Sequence, residues 1–220
     1  MFFKRLRQDI SAARANDPAA RSNLEIFLTY SGVHALSWHR IACRLYKMRL
    51  KLLARIVSQH AKRMTGIEIH PAAKIASGVF IDHGAGVVIG ETAEVGTGTV
   101  LYQGCTLGGT GKETGKRHPT VGEHCVISAG AKVLGNITVG DYAKVGAGAV
   151  VLKNVPPHAT VVGVPARVVK IGGNAVPDLT QEKGDPYLTE ICKLRERAFA
   201  LEARLAELEK NTENGNGEVK

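Results

Sequence analysis

Residues 121–151 read VGEHCVISAGAKVLGNITVGDYAKVGAGAVV, and an aliphatic side chain returns at Val121, Ile127, Val133, Val139, Val145 and Val151. Every sixth position is filled without a miss. Neither a helix, with its period of 3.6, nor an alternating strand, with its period of two, gives a repeat of six. A fixed repeat of this kind marks a solenoid. Each hexapeptide is then a short strand plus a turn, and three of them close one triangular coil. The aliphatic residue points inward onto its equivalents in neighbouring coils. Small residues such as Gly122, Gly140 and the run Gly146-Ala147-Gly148-Ala149 allow the tight corners. Burying one such side chain is worth about 1.5–3 kcal/mol, so a ladder of them can hold a prism together.

Upstream the same spacing runs through Ile69, Ile75, Ile81 and Val87. The phase then slips by two and resumes at Ile89, Val95, Leu101 and Leu107, after which a glycine-rich stretch, 108–119, interrupts it. The repeat therefore assigns a mainly β solenoid to residues 67–172.

Residues 1–66 have helical spacing and read as an all-helical N-terminal domain of four short helices. Phe3, Leu6, Ile10 and Ala13 form the buried stripe of the first, over Phe2–Ala15. Asp17 suits an N-cap and Pro18 the first position of the next helix. Helices follow over about His34–Lys47 and Leu50–Met64, the last closed by Gly66. Residues 173–186, with Pro177, Gly184 and Pro186, read as a linker. Over 187–210 apolar residues fall at Tyr187, Ile191, Leu194, Ala198, Leu201, Leu205 and Leu208, which is heptad spacing. With Ile191 at position a, Arg197 and Arg204 take g and Glu202 and Glu209 the following e positions, a pattern that favours parallel strands. A trimeric coiled coil and a single helix on the prism wall both remain open. Residues 211–220 are polar and expected to be disordered.

Composition narrows the class. Hydrophobic residues at 44% and charged residues at 22% describe a soluble globular chain, and aromatics at 5% are too scarce for single-strand nucleic-acid platforms. The net charge of +9 is confined to residues 1–66, which hold 13 Lys/Arg against 3 Asp/Glu. A solvated helix face, or attraction for acidic small molecules, accounts for it better than nucleic acid or a membrane. No apolar run reaches the roughly 18 residues of a membrane span, and Met1-Phe2-Phe3 runs straight into Lys4 and Arg5, so no apolar stretch long enough for a secretory signal is expected there. Cys43, Cys105, Cys125 and Cys192 form no C-x-x-C pair, and the expectation is reduced thiols in a cytoplasmic protein. Cys105 and Cys125 fall near core positions of the repeat and read as buried thiols.

Two stretches depart from the repeat and carry chemistry. In the glycine-rich loop there is no G-x-x-x-x-G-K-[ST], so a nucleotide P-loop is excluded, while Arg117 and His118 at its end make a carboxylate or phosphate site. Asp82-His83 follows inward Ile81, where side chains can leave the prism. An imidazole beside a carboxylate, with an ordinary pKa near 6.5, can take a proton from a hydroxyl near neutrality. Glu68 belongs to an adjacent coil of the same prism and is a candidate to orient His83.

The hexapeptide ladder, ending in Gly163-Val164-Pro165-Ala166-Arg167, resembles the left-handed parallel β-helix acyltransferases, an exception to right-handed crossovers. Asp17-Pro18, Gly32-Val33-His34-Ala35-Leu36, Ile67-Glu68-Ile69-His70-Pro71, Asp82-His83-Gly84, Gly90-Glu91-Thr92, the loop ending Arg117-His118-Pro119 and Gly130–Asn136 are together very similar to the short form of the serine acetyltransferase family. The resemblance covers about residues 1–172. It implies acetyl transfer from acetyl-CoA to the L-serine hydroxyl, the first step of cysteine biosynthesis from serine, with no metal and no acetyl-enzyme. His83 would be the general base and Glu68 its orienting carboxylate, where better-known members have Asp. Arg117 would hold the substrate carboxylate, Asp82 and Asp17 would face its ammonium, and His118 would assist. Gly109, Thr110, Ala129 and Ala147 match positions that line the acetyl-CoA groove between prisms, with Arg167 as a phosphate partner. The resemblance also implies a homotrimer or a dimer of trimers, with L-cysteine as an inhibitor competing at the serine site. Some members bind a sulfhydrylase through a C-terminal isoleucine, and the ending Gly217-Glu218-Val219-Lys220 does not match it.

Three rivals keep the fold. One is an O-acetyltransferase for another hydroxyl, such as homoserine, a sugar or an antibiotic. A metalloenzyme of the γ-carbonic anhydrase type would draw zinc ligands from His70, His83, His118 and His124 of neighbouring prisms. The third is a non-enzymatic trimeric scaffold.

Overall fold

Four helices come first: α1 (Phe2–Asn16), α2 (Asn23–Thr29), α3 (Ser31–Lys47) and α4 (Lys51–Thr65). The structure is a computed structural model that describes residues 2–111, 114–175, 194–199, 201, 202, 204 and 205. Asp17 does not cap α2. Its Oδ1 accepts from the Ala19 amide at 2.8 Å in a local turn, so Pro18 opens a turn and not a helix. The cap is Ser22, whose Oγ accepts from the Glu25 amide at 3.1 Å. α4 ends as its glycine predicts, with Gly66 left-handed at φ 72°.

The stripe on α1 differs from expectation at one end. Leu6, Ile10 and Ala13 pack with Ile26 and Val33 against Phe80 and Val100, but Phe3 is 75% exposed. Asp9 is buried in its place. Its Oδ2 lies 2.5 Å from Arg40 Nη2, and its Oδ1 accepts from the Gly78 amide at 2.9 Å. One carboxylate thus ties α1 to α3 and to the solenoid.

The strands follow in threes: β1 (Glu68–Ile69), β2 (Lys74–Ile75), β3 (Phe80–Asp82), β4 (Val88–Ile89), β5 (Glu94–Val95), β6 (Val100–Tyr102), β7 (Thr106–Gly108), β8 (Thr120–Val121), β9 (Val126–Ile127), β10 (Lys132–Leu134), β11 (Thr138–Val139), β12 (Lys144–Val145) and β13 (Val150–Val151). From β1 to β10 each pairs in parallel with the strand three places on, which builds three sheets. The first is β1-β4-β7-β10-β13, the second β2-β5-β8-β11, and the third begins β3-β6-β9-β12. This is a parallel β-solenoid of about five turns, consistent with a left-handed β-helix. Among the described residues it ends in β14 (Ala159–Val162), then β15 (Arg167–Ile171) and β16 (Asn174–Ala175), the last two antiparallel.

The period-six residues form one core, with Ile69, Ile81, Ile89, Val95, Leu101, Leu107, Val121, Ile127, Val133, Val139, Val145 and Val151 all buried. A second inward position lies two residues before each. Ala73, Ala93, Cys105, Cys125, Ala131, Ala143 and Ala149 fill it, which is why both cysteines are buried. Val87 belongs to this second set. It precedes Ile89, so the ladder steps from Ile81 to Ile89 and the phase slip is a corner lengthened by two residues.

Residues 177–220 form a separate compact unit. Residues 194–199, 201, 202, 204 and 205 are helical there. The rest of the expected linker and heptad segment, Cys192 and the tail 211–220 lie outside the described residues. None of the described helices is long and apolar enough to cross a membrane.

Candidate active site

The lengthened corner joins the third sheet to the first and presents His83. Its backbone is left-handed at φ 56°, with Gly84 and Gly86 also positive at 71° and 74°. A non-glycine residue there is strained, and such strain clusters at functional sites. The imidazole is exposed, and among the described residues no hydrogen bond reaches its ring. The N-terminus of α3 lies directly over this corner. Ser31 Oγ donates to the His83 carbonyl at 3.3 Å, and a Cβ on Gly32 would come within 2.2 Å of the Ile81 carbonyl. Only glycine permits that approach.

Asp17 is brought to the same place by the turn after α1. Tyr30 donates to its Oδ2 at 2.5 Å, and this bond, with the Ala19 amide, holds the carboxyl below its ordinary range; nearby His83 adds to the effect. The Tyr30 hydroxyl is correspondingly pushed up to about 12, first by the bond to Asp17 and further by the charges of Asp17, Glu25 and Asp82. Asp17, Tyr30, Asp82 and His83 are therefore one electrostatic cluster. Glu68 lies across the corner on β1, where the Gly86 amide donates to the Gly66 carbonyl at 2.9 Å. Its carboxylate faces outward and pairs with Lys62 Nζ of α4 at 2.6 Å rather than with His83.

Arg117 and His118 stand at a different corner, between the first and second sheets. The loop before them is pinned by Glu91 and Thr92. Arg117 Nη2 donates to Glu91 Oε2 at 2.6 Å, which holds that carboxyl below its usual range, and Lys116 Nζ donates to the Thr92 carbonyl at 2.7 Å. Thr92 Oγ1 accepts from the amides of Arg117 and His118 at 3.0 and 3.1 Å, which leaves its own proton for His118 Nδ1 at 2.9 Å. The Thr92 amide donates to the same nitrogen at 3.3 Å. Nδ1 is thereby the acceptor and Nε2 carries the proton. His118 is only 8% exposed, its ring fills the space over Gly90, and burial lowers its pKa. A neutral imidazole whose Nε2–H has no partner among the described residues, next in the chain to a guanidinium, can receive a carboxylate.

The structure thus separates the expected residues into two groups on opposite edges of the first sheet. Ala129 and Ala147 stand in the His83 column, where the Gly104, Gly130 and Gly148 amides donate to the carbonyls of Ala85, Gln103 and Ala129. Gly109 belongs to the other group, and a Cβ on it would lie 3.2 Å from the Arg117 carbonyl and 3.3 Å from His118 Nε2. Thr110 is exposed beside it, next to Gly135. Arg167 lies on β15 opposite Val162.

The remaining residues are occupied elsewhere. His34 Nε2 donates to the Phe27 carbonyl at 2.6 Å, and His70 Nδ1 accepts from the Ala72 amide at 3.1 Å. His124 stacks on Tyr142, and Tyr142 on His158, at the third corner with 5.0 Å between ring centroids in each pair. The four histidines considered as zinc ligands are therefore spread over the three corners of one prism. Burial pushes the Cys105 thiol up to about 12 and also raises that of Cys125, which suits packing and not nucleophilic attack. Sequence reasoning gave no role to Tyr30, Thr92 or Lys62. The run Gly90-Glu91-Thr92 held a signal for Thr92, whereas Tyr30 and Lys62 act through contacts that no spacing reveals.

Residues 118–153 match the family model described as bacterial transferase hexapeptide (six repeats), so ladder and site define a hexapeptide-repeat transferase. The chain is 54% identical to the serine acetyltransferase of Bacillus pumilus (strain SAFR-032) over 97% of its own length and 99% of that protein. A crystal structure of Neisseria gonorrhoeae serine acetyltransferase in complex with serine superposes with TM-score 0.74 at 43% identity, covering 77% of this chain and 69% of that one. A serine acetyltransferase in complex with cysteine gives TM-score 0.76 at 45% identity over 77% of this chain and 66% of that one. The chain belongs to the serine acetyltransferase family.

Proposed function

We propose that the protein transfers the acetyl group of acetyl-CoA to the hydroxyl of L-serine, giving O-acetyl-L-serine and CoA. The observation that carries this reading is an exposed, left-handed His83 set beside Asp17 and Asp82 in a chain of this family. The imidazole takes the proton of the serine hydroxyl as its oxygen forms a bond to the thioester carbonyl carbon. The carbon–sulfur bond then breaks, and the imidazolium returns the proton to the departing thiolate. No enzyme nucleophile is used, and no metal ion is invoked. Asp17 and Asp82 receive the substrate ammonium, while Arg117 and the His118 Nε2–H receive its carboxylate. Glu68 pairs with Lys62, and to stabilise the imidazolium its carboxylate would have to turn from that lysine toward His83.

Ammonium and carboxylate receivers on opposite edges of one prism support a site shared between neighbouring copies. We read the assembly as a homotrimer in which the His83 edge of one copy meets the Arg117 edge of the next. Acetyl-CoA would lie in that seam, along Ala129 and Ala147 on one side and Gly109 and Thr110 on the other, with Arg167 toward its phosphates. L-Cysteine presents the same ammonium and carboxylate and would compete with serine. In this reading residues 1–66 form the helical domain and residues 67–172 the catalytic prism, in a cytoplasmic enzyme.

The test is CoA thiol release with serine, homoserine and a sugar panel as acceptors. Serine should be preferred by orders of magnitude, and His83→Ala should lose roughly 10²–10⁴-fold in kcat with an unchanged unfolding midpoint. Equal turnover of a sugar, or an acetyl group trapped on the enzyme, overturns the proposal.

A further inference from the structure

The junction between α2 and α3, Tyr30-Ser31-Gly32, touches the candidate site at three successive residues. Tyr30 donates to Asp17 Oδ2 at 2.5 Å, Ser31 Oγ donates to the His83 carbonyl at 3.3 Å, and Gly32 lies against the Ile81 carbonyl. Three consecutive contacts from one turn fix where the helical segment meets the lengthened corner. Asp17 itself sits on an irregular stretch between α1 and α2, with no regular structure to hold its side chain. Its Oδ1 is engaged locally by Ala19, so its bearing relative to His83 depends on the partner of Oδ2.

We infer that Tyr30 is a positioning residue for the acceptor substrate, fixing Asp17 where an ammonium group can meet it beside His83. This deepens the proposed function and rests on it. The phenol suits the task better than a cation would. It donates one proton to Asp17 without neutralising it, so the full negative charge stays available to the substrate. A lysine in the same place would cancel that charge. The Tyr30 oxygen also keeps a lone pair, since its proton is spent on Asp17, and Asp82 acts on the same hydroxyl electrostatically. Tyr30 packs against the cluster of Ala13, Ile26, Val33, Phe80 and Val100, so the hydroxyl is delivered from a fixed base.

Tyr30→Phe removes only the oxygen and keeps the ring. The KM for serine should rise roughly tenfold, the loss of one charge-assisted hydrogen bond, while kcat and the KM for acetyl-CoA stay within about twofold. The double variant Tyr30→Phe with Asp17→Asn should be no worse than Asp17→Asn alone, because the two act as one unit. With 3-hydroxypropanoate, which lacks the ammonium, wild type and Tyr30→Phe should be equally slow. A merely structural role predicts the opposite: additive losses, a fall in kcat and the same penalty with both acceptors. Any of those, or a serine KM unchanged in Tyr30→Phe, overturns the inference. If the wild type fails to acetylate serine, the proposed function fails instead, and the two failures are told apart by that control.

Discussion

Acid should loosen α3 from the solenoid through His39. This imidazole is only 6% exposed, and burial, reinforced by the Arg40 charge, lowers its pKa from 6.5 to about 4; a hydrogen bond with the Ala73 backbone pulls weakly the other way. His70 and Lys47 press in the same direction as Arg40. In the unfolded chain the group takes up its proton near pH 6.5, whereas in the folded chain it resists until about pH 4. Because the unfolded state binds more protons in between, stability is full above pH 6.5 and falls as the pH drops through that window. At 1.36 kcal/mol per pKa unit the whole shift amounts to about 3 kcal/mol, of which about 2 kcal/mol is lost by pH 5. His70 and His118, also lowered by burial, add losses of the same sign. The contribution of His39 is therefore read as a difference. Urea unfolding of wild type and His39→Gln is measured at pH 7.5 and pH 5 at one protein concentration, since an oligomer's stability depends on it. Glutamine keeps a donor for Ala73 and cannot titrate. The variant should lose about 2 kcal/mol less than wild type across that interval. An equal loss in both proteins refutes the assignment of a buried neutral imidazole.

Asp9→Ala should cost about 3–5 kcal/mol by urea unfolding, because it leaves the Arg40 guanidinium buried without its partner. Replacing both, as Asp9→Leu with Arg40→Met, should restore much of it; a single variant within 1 kcal/mol of wild type would show that the pair is solvated. Thr92→Val removes the hydroxyl that accepts two loop amides and bonds His118 Nδ1. The serine KM should rise roughly tenfold with little change in kcat. An unchanged KM would mean that the His118 tautomer is set by the Thr92 amide alone.

Much of the architecture was written in period six, because a solenoid repeats its packing locally and each coil buries the same two positions. Ala131 and Cys125 occupy one site in successive hexapeptides, so even the cysteines follow from register. Helix spacing gave the four helices but not their tertiary partners. Phe3 fits the α1 stripe by spacing and yet lies in water, whereas Asp9, polar and off that stripe, is buried with the Arg40 guanidinium and the Gly78 amide against it. Asp17 looked like a helix cap because Asp-Pro is a capping pair; the local turn to Ala19 won, and Ser22 took the cap. The candidate base was legible as a histidine after an inward isoleucine. The partners of Glu68 and Asp17 were not. Lys62 and Tyr30 reach them across the junction of helices and solenoid, a contact that depends on how two independently periodic segments dock.

The two departures from the repeat and the two groups of functional residues coincide, and the physics of the prism explains why. An uninterrupted coil has every inward position filled by aliphatic or small residues, and its outward positions lie on flat sheets with nothing concave between them. Chemistry needs side chains that leave the sheet plane with fixed aim. Two extra residues between Ile81 and Ile89 achieve this at one corner, where His83 stands exposed on a left-handed backbone. The excursion after Leu107 achieves it at the next corner, where Arg117 and His118 are clamped by Glu91 and Thr92 as the chain rejoins the repeat. Both insertions leave the ladder itself unbroken, because Ile89 and Val121 resume the inward stack in register with their neighbours. Stability is therefore carried by the regular coils, and the irregular corners are free to carry the functional side chains. A deletion that shortens the His83 corner by two residues would restore the perfect repeat and remove the excursion that carries the imidazole.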